Sequence, residues 1–195
     1  MKETFIDLVK KNRSWRGYDE SRRISREELL SFVDCARFAP SSVNRQPFRY
    51  YLAYKQEQLD LIQPLTGWAR ALPEKNLPYP GHRPTAFVVI CQDTTLDEDL
   101  DRYQRDVGIA AEAMLLAAAE AELGGIMIGN FSPKRMSEAL ALPENLVPML
   151  VVAFGKPDER IVLTEIDEGE PTNYYRDEND THYVPKRKLK DVVLE

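Results

Sequence analysis

The segment from residue 106 to residue 123 constrains the fold of this chain most. It reads DVGIAAEAMLLAAAEAEL, and between residues 107 and 119 it carries one charge, Glu112. A helix that is apolar on nearly all sides must be buried on most of them. The apolar run is too short to cross a bilayer, and Glu112 interrupts it. The segment therefore predicts a central core helix, ended by Gly124 and Gly125 because glycine tolerates the left-handed closing conformation.

Length and composition define the class of protein. A chain of 195 residues predicts one compact domain over residues 1–195, and 43% hydrophobic with 30% charged residues is typical of a globular protein. The net charge of −6 argues against binding nucleic acid or an anionic membrane. Cys35 and Cys91 lie far apart without metal-ligand spacing, and no signal or transmembrane segment is evident. We therefore expect a reduced, cytoplasmic setting.

Periodicity and turn chemistry predict the remaining elements. A capping box at Ser25 and Glu28 opens a helix, and Ser132 with Pro133 begins another. Apolar or aromatic runs predict strands, whereas the prolines and aromatics between residues 67 and 84 favour a lid or pocket wall. Beyond residue 157 the chain is polar, and we expect it to wrap over another surface. The predicted helices are residues 3–11, 25–38, 57–65 and 133–142, and the predicted strands are 48–54, 86–91, 124–131 and 148–155.

Three polar clusters could carry function. Arg13 and Arg16, with Ser14 between them, could hold a phosphate by forked, charge-assisted hydrogen bonds. The amides and hydroxyls of residues 39–48 could read the polar edge of a heteroaromatic ring. The basic cluster at residues 185–190 stands out in an acidic chain and is consistent with an anionic partner. Taken singly, these clusters are equally typical of a solvated loop, a satisfied turn and a solvated tail.

The familiar catalytic and phosphate-binding motifs are missing. The sequence contains neither GxGxxG after a strand nor GxxxxGK[ST], and its two histidines have no partners at metal or nucleophile spacing. Cys91, within a predicted buried strand, is more typical of a small core residue than of a nucleophile. An enzyme with this composition would need a cofactor to carry its chemistry.

Five segments, in order, resemble the nitroreductase family of FMN-dependent NAD(P)H oxidoreductases along nearly the whole chain. Residues 12–18 resemble its opening Arg-Arg-Ser-x-Arg, and residues 39–48 its Pro-Ser-x-x-Asn-x-Gln-Pro-aromatic loop. Residues 106–125 are similar to its Ala-rich central helix, residues 127–131 to the turn beside the flavin, and residues 184–189 to its closing Pro-Lys-Arg segment. Each motif is weak singly, but the ordered set is specific.

The resemblance implies an α+β, nitroreductase-like fold with a mostly antiparallel central sheet flanked by helices. It also implies a homodimer with a domain-swapped C-terminal tail and FMN at the subunit interface. One subunit would give phosphate and ribityl contacts and the other would approach the ring, with the backbone amides of Gly129 and Asn130 near N5. The implied cofactor-binding residues are Arg13, Ser14, Arg16, Pro40, Ser41, Ser42, Asn44, Met127, Gly129, Asn130, Lys186 and Arg187, with Lys188 included if the register shifts by one.

The implied reaction is ping-pong hydride transfer from NADH or NADPH through flavin N5 to an electron-poor small molecule such as a nitroaromatic or quinone. It uses no catalytic side chain and no metal. Alternatives within the same fold are a flavin-fragmenting or dehalogenating enzyme and a non-enzymatic flavin-binding protein. A plain structural dimer is the least consistent with five ordered motifs.

Two departures from the family pattern affect the predicted site. Asn12 replaces the usual first arginine, which removes a fixed charge, so we expect weaker FMN binding unless the tail compensates. The family often places an asparagine and a lysine from the middle loop on the flavin. Lys75, Asn76, His82 and Arg83 are the candidates here, and the sequence does not choose among them.

Overall fold

The computed structural model describes residues 4–194. The expected α+β class is confirmed, and the predicted start of the first helix at residue 3 lies outside the described residues. The helices are α1 (Phe5–Lys11), α2 (Arg26–Arg37), α3 (Gln56–Ile62), α4 (Gln104–Glu120) and α5 (Pro133–Ala139). The strands are β1 (Tyr18–Asp19), β2 (Phe48–Ala53), β3 (Ala86–Asp93), β4 (Gly124–Ile128), β5 (Leu146–Pro157), β6 (Ile161–Ile166), β7 (Tyr175–Arg176) and β8 (His182–Arg187).

The long strand β5 organises the main sheet. It pairs antiparallel with β1, β3 and β4, and β2 adds to β3, also antiparallel. All eight residues of β3 are buried, as its continuous apolar sequence predicts. Alternate side chains of β3 enter two cores. Val88 and Ile90 pack with α2 and α4, whereas Phe87 and Val89 pack with α3 and α5. The mostly antiparallel sheet flanked by helices is therefore confirmed.

The predicted central helix is α4, which lies over the first core. Its small residues Ala110, Ala111 and Ala118 are buried beside α2, where alanine permits close approach of two helices. The helix is not buried on all sides in this chain, because Ile109 is 43% exposed. No helix within residues 4–194 has the length and apolar character that crossing a bilayer requires.

The end of α4 differs from the prediction. The left-handed residue is Glu122, with φ of 57°, whereas Gly124 and Gly125 belong to β4. These glycines are needed for close packing instead of for a turn. A Cβ on Gly125 would lie 2.4 Å from the Ala153 carbonyl oxygen, and one on Gly124 would lie 2.3 Å from Cδ1 of Trp15.

Local capping signals are confirmed. The Ser25 hydroxyl accepts from the Glu28 amide at 3.1 Å, and the Glu28 carboxylate accepts from the Ser25 amide at 2.8 Å. Ser132 caps α5, with Pro133 in its first turn. These contacts join residues three apart, so a single short sequence window contains all the atoms that form them.

The polar tail forms a second sheet on the same chain. Strand β8 pairs parallel with β6 and antiparallel with β7. The sequence predicts no strands here because the register joins residues about twenty positions apart, and Pro185 interrupts the β8 pattern. Exchange of this tail between two chains stays a prediction.

The packing around β4 predicts that two glycine-to-alanine substitutions differ in their effect on the free energy of unfolding. Gly125→Ala should lower the free energy of unfolding by about 1–3 kcal/mol, because the added methyl meets backbone and Leu115. Gly129→Ala, one residue beyond β4, meets nothing within 4 Å and should change it by less than about 0.5 kcal/mol. Urea denaturation monitored by circular dichroism measures both. Equal losses would contradict the close packing at Gly125.

Candidate functional site

The loop after α1 lies against the end of β4. Ser14 forms a parallel bridge with Gly125, whose carbonyl accepts from the Trp15 amide at 3.1 Å. The Asn12 side chain is buried and donates to Glu112 on α4 at 2.9 Å. The loop is therefore fixed on both sides, and the position that resembles the family's first arginine forms a structural contact.

Both loop arginines are partly or fully buried. Nη2 of Arg13 donates to the Val9 carbonyl at 2.8 Å, and burial lowers the pKa of Arg13. Nη1 of Arg16 donates to the Ser14 carbonyl at 2.9 Å, and its guanidinium lies 4.8 Å from the centroid of the Tyr174 ring. The Nε atom of each arginine is buried without a hydrogen-bond partner.

Four of the predicted cofactor-binding residues line one cavity of about 170 Å³. They are Arg13, Ser14, Arg16 and Lys186, the last brought there by β8. A wider groove of about 580 Å³ shares Arg13 and Lys186 with this cavity, so the two spaces lie side by side at those residues. We call the smaller space, lined also by Ile161, Tyr174, His182 and Val184, the cationic cavity.

The other tail cations lie outside the cationic cavity. Arg187 is exposed, as expected for the residue after Lys186 in a strand whose side chains alternate. The Lys188 ammonium pairs with Asp167 at 2.5 Å, which raises the pKa of that lysine. Of the three tail cations in the predicted set, the structure thus brings Lys186 to the N-terminal arginines.

The amide-rich loop lies in a different place. Pro40 and Ser41 line a second cavity, of about 150 Å³, between α2, β2 and α4. The Ser42 amide and hydroxyl donate to the buried Asp106 carboxylate at 2.6 and 3.2 Å. Asn44 adopts a left-handed φ of 53° and its side-chain oxygen accepts from Gln46 at 3.2 Å. Within one chain, this loop and the cationic cavity form separate halves.

The turn after β4 contacts the middle segment. Met127 is half-buried in β4, and Gly129 and Asn130 are exposed beyond it. The Asn130 carbonyl accepts from the Gly67 amide at 2.7 Å. The middle segment, residues 67–84, therefore begins beside the residues predicted to face the flavin ring.

The middle-segment candidates point elsewhere in this chain. Lys75 pairs with Asp180 at 3.4 Å and His82 with Asp158 at 3.0 Å. Arg83 lines a third cavity, of about 460 Å³, together with Trp68. None of the four candidates, Asn76 included, lines the cationic cavity.

Comparison with known proteins identifies the family. The model of the nitroreductase family matches residues 9–156. The chain belongs to the nitroreductase family. A protein of Archaeoglobus fulgidus named "Putative NADH dehydrogenase/NAD(P)H nitroreductase" is 28% identical over 181 residues, covering 90% of this chain and 98% of that protein.

Solved structures agree with this nitroreductase assignment. A nitroreductase family protein from Clostridium difficile 630 superposes with a TM-score of 0.65 at 25% identity, covering 80% of this chain and 86% of that one. A nitroreductase from Exiguobacterium sibiricum 255-15, solved in complex with FMN, has a TM-score of 0.66 at 21% identity and covers 80% of this chain and 90% of its own. The family that the sequence segments predict is thus confirmed.

The candidate site also involves residues that sequence reasoning missed. The buried carboxylate of Glu159 accepts from the amides of Arg16 and Gly17, the latter at 3.2 Å, and pairs with the buried Arg176. Burial raises the pKa of Glu159 against the opposing effect of these contacts. Both residues lie in the polar tail, where charged residues are common, so no local pattern distinguishes them.

His182 is a third residue that sequence reasoning missed. It is 1% exposed and lines the cationic cavity, with Nε2 3.3 Å from Nη1 of Arg16. Burial, and next the cations of Arg16 and Arg176, lower the pKa of His182 to about 4. The imidazole is therefore neutral at physiological pH.

The residues of the cationic cavity fit an anion. Nε of Arg13, Nε of Arg16 and Nδ1 of His182 are buried without partners, and the exposed Lys186 lines the same cavity. Unpaired buried N–H groups gain free energy when an acceptor binds. Burial raises the pKa of Cys91 to about 12, which disfavours a thiolate at that residue, and residues 4–194 contain no group of side chains suited to hold a metal ion.

The low pKa of His182 predicts a pH-dependent stability. A depressed folded-state pKa stabilises the fold fully above about pH 6.5, and this contribution is lost as the pH falls towards 4. The loss should approach about 3 kcal/mol in the free energy of unfolding. Urea titrations between pH 7 and 4 should show this fall for the wild type and for His82→Gln, and a shallower fall for His182→Gln. Parallel curves for all three proteins would refute the predicted contribution of His182 to the pH dependence of stability.

Proposed function

We propose that this nitroreductase-family chain is an FMN-dependent NAD(P)H oxidoreductase that reduces an electron-poor small molecule. The observation that carries the proposal is the convergence of Arg13, Arg16 and Lys186 on one cavity with unpaired buried N–H groups. The name of the Archaeoglobus relative and the FMN complex of the Exiguobacterium structure support a nicotinamide donor and a flavin.

The chain supplies binding groups for different parts of FMN. Arg13, Ser14, Arg16 and Lys186 would hold the phosphate and ribityl chain, with Arg187 adding positive charge nearby. The cationic cavity suits the phosphate in size, and the wider groove beside it leaves space for the larger part of the cofactor. In this arrangement the cationic residues bind the anionic phosphate, and the flavin ring lies outside the cationic cavity.

A homodimer would complete the site. Pro40, Ser41, Ser42 and Asn44 lie apart from the cationic cavity in one chain, so a second copy would have to bring them to the ring. Large apolar side chains exposed in the single chain are consistent with such an interface. They include Phe5, Ile6, Phe38, Val43 and Ile109. Exchange of the C-terminal tail between the copies remains part of this proposal.

The protein's contribution to the reaction is position and electrostatics. When bound, FMN would supply a two-electron carrier whose N5 takes a hydride from NADH or NADPH and passes it to the acceptor in a ping-pong sequence. Gly129 has open space where a Cβ would be, so the ring edge could approach its backbone closely. Met127 and Asn130 would flank that edge. The cations near the phosphate orient the cofactor by charge-assisted hydrogen bonds.

The experiment is spectroscopic. The purified protein should be yellow, or become so with FMN, and NADH or NADPH should bleach it under anaerobic conditions. Nitroaromatics and quinones should restore the colour. Faster recovery with halogenated phenols would favour a dehalogenase instead, loss of FMN itself would favour a flavin-fragmenting enzyme, and FMN binding without bleaching would favour a flavin-storage protein. A preparation that stays colourless with FMN would refute the proposal.

The proposed phosphate contact of Lys186 predicts a selective loss of affinity. Lys186→Gln should raise the dissociation constant of FMN about tenfold, since a charge-assisted contact becomes neutral. Riboflavin, which lacks the phosphate, should bind with unchanged affinity. Quenching of flavin fluorescence measures both constants. Lys190→Gln is the matched control, because Lys190 is exposed in the following 3-10 turn and lines neither space. Equal FMN affinity in the two variants would contradict the contact.

A further inference from the structure

His182 is placed where a ligand contact is expected. It is the first residue of β8, and its backbone amide donates to the Arg160 carbonyl at 2.8 Å. Its ring is almost fully buried and lies 5.2 Å from the Tyr174 ring, centroid to centroid. It lines the cationic cavity beside Arg16 and Lys186. The imidazole is therefore held in one orientation at the edge of the cavity.

The contact with Arg16 fixes the tautomer of His182. Nε2 lies 3.3 Å from Nη1 of Arg16, and a guanidinium can only donate hydrogen bonds. Nε2 must therefore be the unprotonated, accepting nitrogen. Because the ring is neutral, its single proton lies on Nδ1. Nδ1 is buried, and no described group accepts from it.

Burial disfavours the charged imidazole most, and the charges that face the ring add to this effect. Arg16 and Arg176 oppose its protonation, and Asp180 favours it less strongly. The Asp180 carboxylate is shared, since it pairs with Arg176 at 2.7 Å and Lys75 at 3.4 Å. From the other elements around the cavity, the charged groups are Arg13, Lys186 and, bound to Arg176, Glu159. A protonated His182 would add another positive charge to this set.

We infer that His182 donates its Nδ1 proton, as a neutral imidazole, in a hydrogen bond to the phosphate of FMN. This inference rests on the proposed function, because it adds one donor to the same site. The cavity is of the size of a phosphate-like group, and Arg16, which also lines it, has in its buried Nε a second donor without a partner. A single anion with several acceptor oxygens satisfies both donors together.

A neutral donor and a cationic donor predict different pH dependences of FMN affinity. A cationic histidine would hold phosphate by charge, so FMN affinity would rise as the pH falls through its pKa. A neutral Nδ1–H gives directional hydrogen bonding that does not change between pH 6 and 8, apart from ionisation of the phosphate itself. The residue thus selects for an acceptor oxygen at one position without increasing the positive charge of the cavity.

Affinity measurements test the donor role. His182→Leu removes the N–H and should raise the FMN dissociation constant about tenfold, leaving that of riboflavin unchanged. His182→Gln keeps a neutral N–H donor and should restore FMN affinity to within about threefold of the wild type. The His82→Gln control should bind both flavins normally. If both His182 variants lose FMN and riboflavin equally, or neither loses FMN, the donor role is overturned.

Nitrogen NMR tests the inference without catalysis. Protein labelled with ¹⁵N-histidine and freed of flavin should show His182 as the Nδ1–H tautomer from pH 8 to 5.5. Inorganic phosphate should shift the His182 signals saturably and leave those of His82 unchanged. An Nε2–H tautomer or a protonated ring at pH 6.5 would overturn the inference, as would signals unmoved by phosphate. If phosphate shifts them and FMN does not bind, the proposed function fails while the anion contact stands.

Discussion

The buried ion pair of Glu159 and Arg176 is the interaction on which the site depends. Glu159 follows β5 and accepts from the amides of Arg16 and Gly17, so it fastens the N-terminal loop to the second sheet. Side-chain exposure is 6% for Glu159 and 2% for Arg176. Removing one member of such a pair leaves the other charge buried alone, which is costly. Arg176 also pairs with Asp180, which in turn pairs with Lys75 of the middle segment. The middle segment is therefore connected to the same ion pair.

The balance of charge around this pair explains why the cationic cavity can exist in an acidic protein. The net charge of the chain is −6, yet Arg13, Arg16 and Lys186 meet at one place. Glu159 neutralises Arg176, and His182 remains neutral because its burial, and next the neighbouring guanidinium groups, disfavour its protonation. The excess positive charge is therefore concentrated around one small cavity. The electric field of such a cluster acts at short range, so it does not depend on the sign of the net charge of the whole protein.

The features that the sequence alone predicts are those formed by residues close together along the chain. The helix α4, the buried strand β3 and the capping box at Ser25 each follow from a pattern within one short window. Arg16 contacts both Glu159 and His182 across 143 and 166 residues of sequence, and no periodicity links them. The close packing of Gly125 was missed for the same reason, since the atoms that exclude a Cβ belong to β5 and α4. Motif order supplied the candidate residues, whereas only the folded chain separates Lys186 from Arg187.

Asn12 contacts Glu112 and supplies no positive charge, so anion binding depends more strongly on the residues of the C-terminal tail. Where the family commonly has arginine, this chain has a buried amide that donates to Glu112 on the central helix. That position therefore supplies no positive charge to the cavity. The remaining donors are Arg13 and Arg16 from the loop, and Lys186 and His182 from β8. If the cavity binds phosphate as proposed, its affinity depends on the tail as much as on the loop, and the contacts of Glu159 that join the two become a condition for binding.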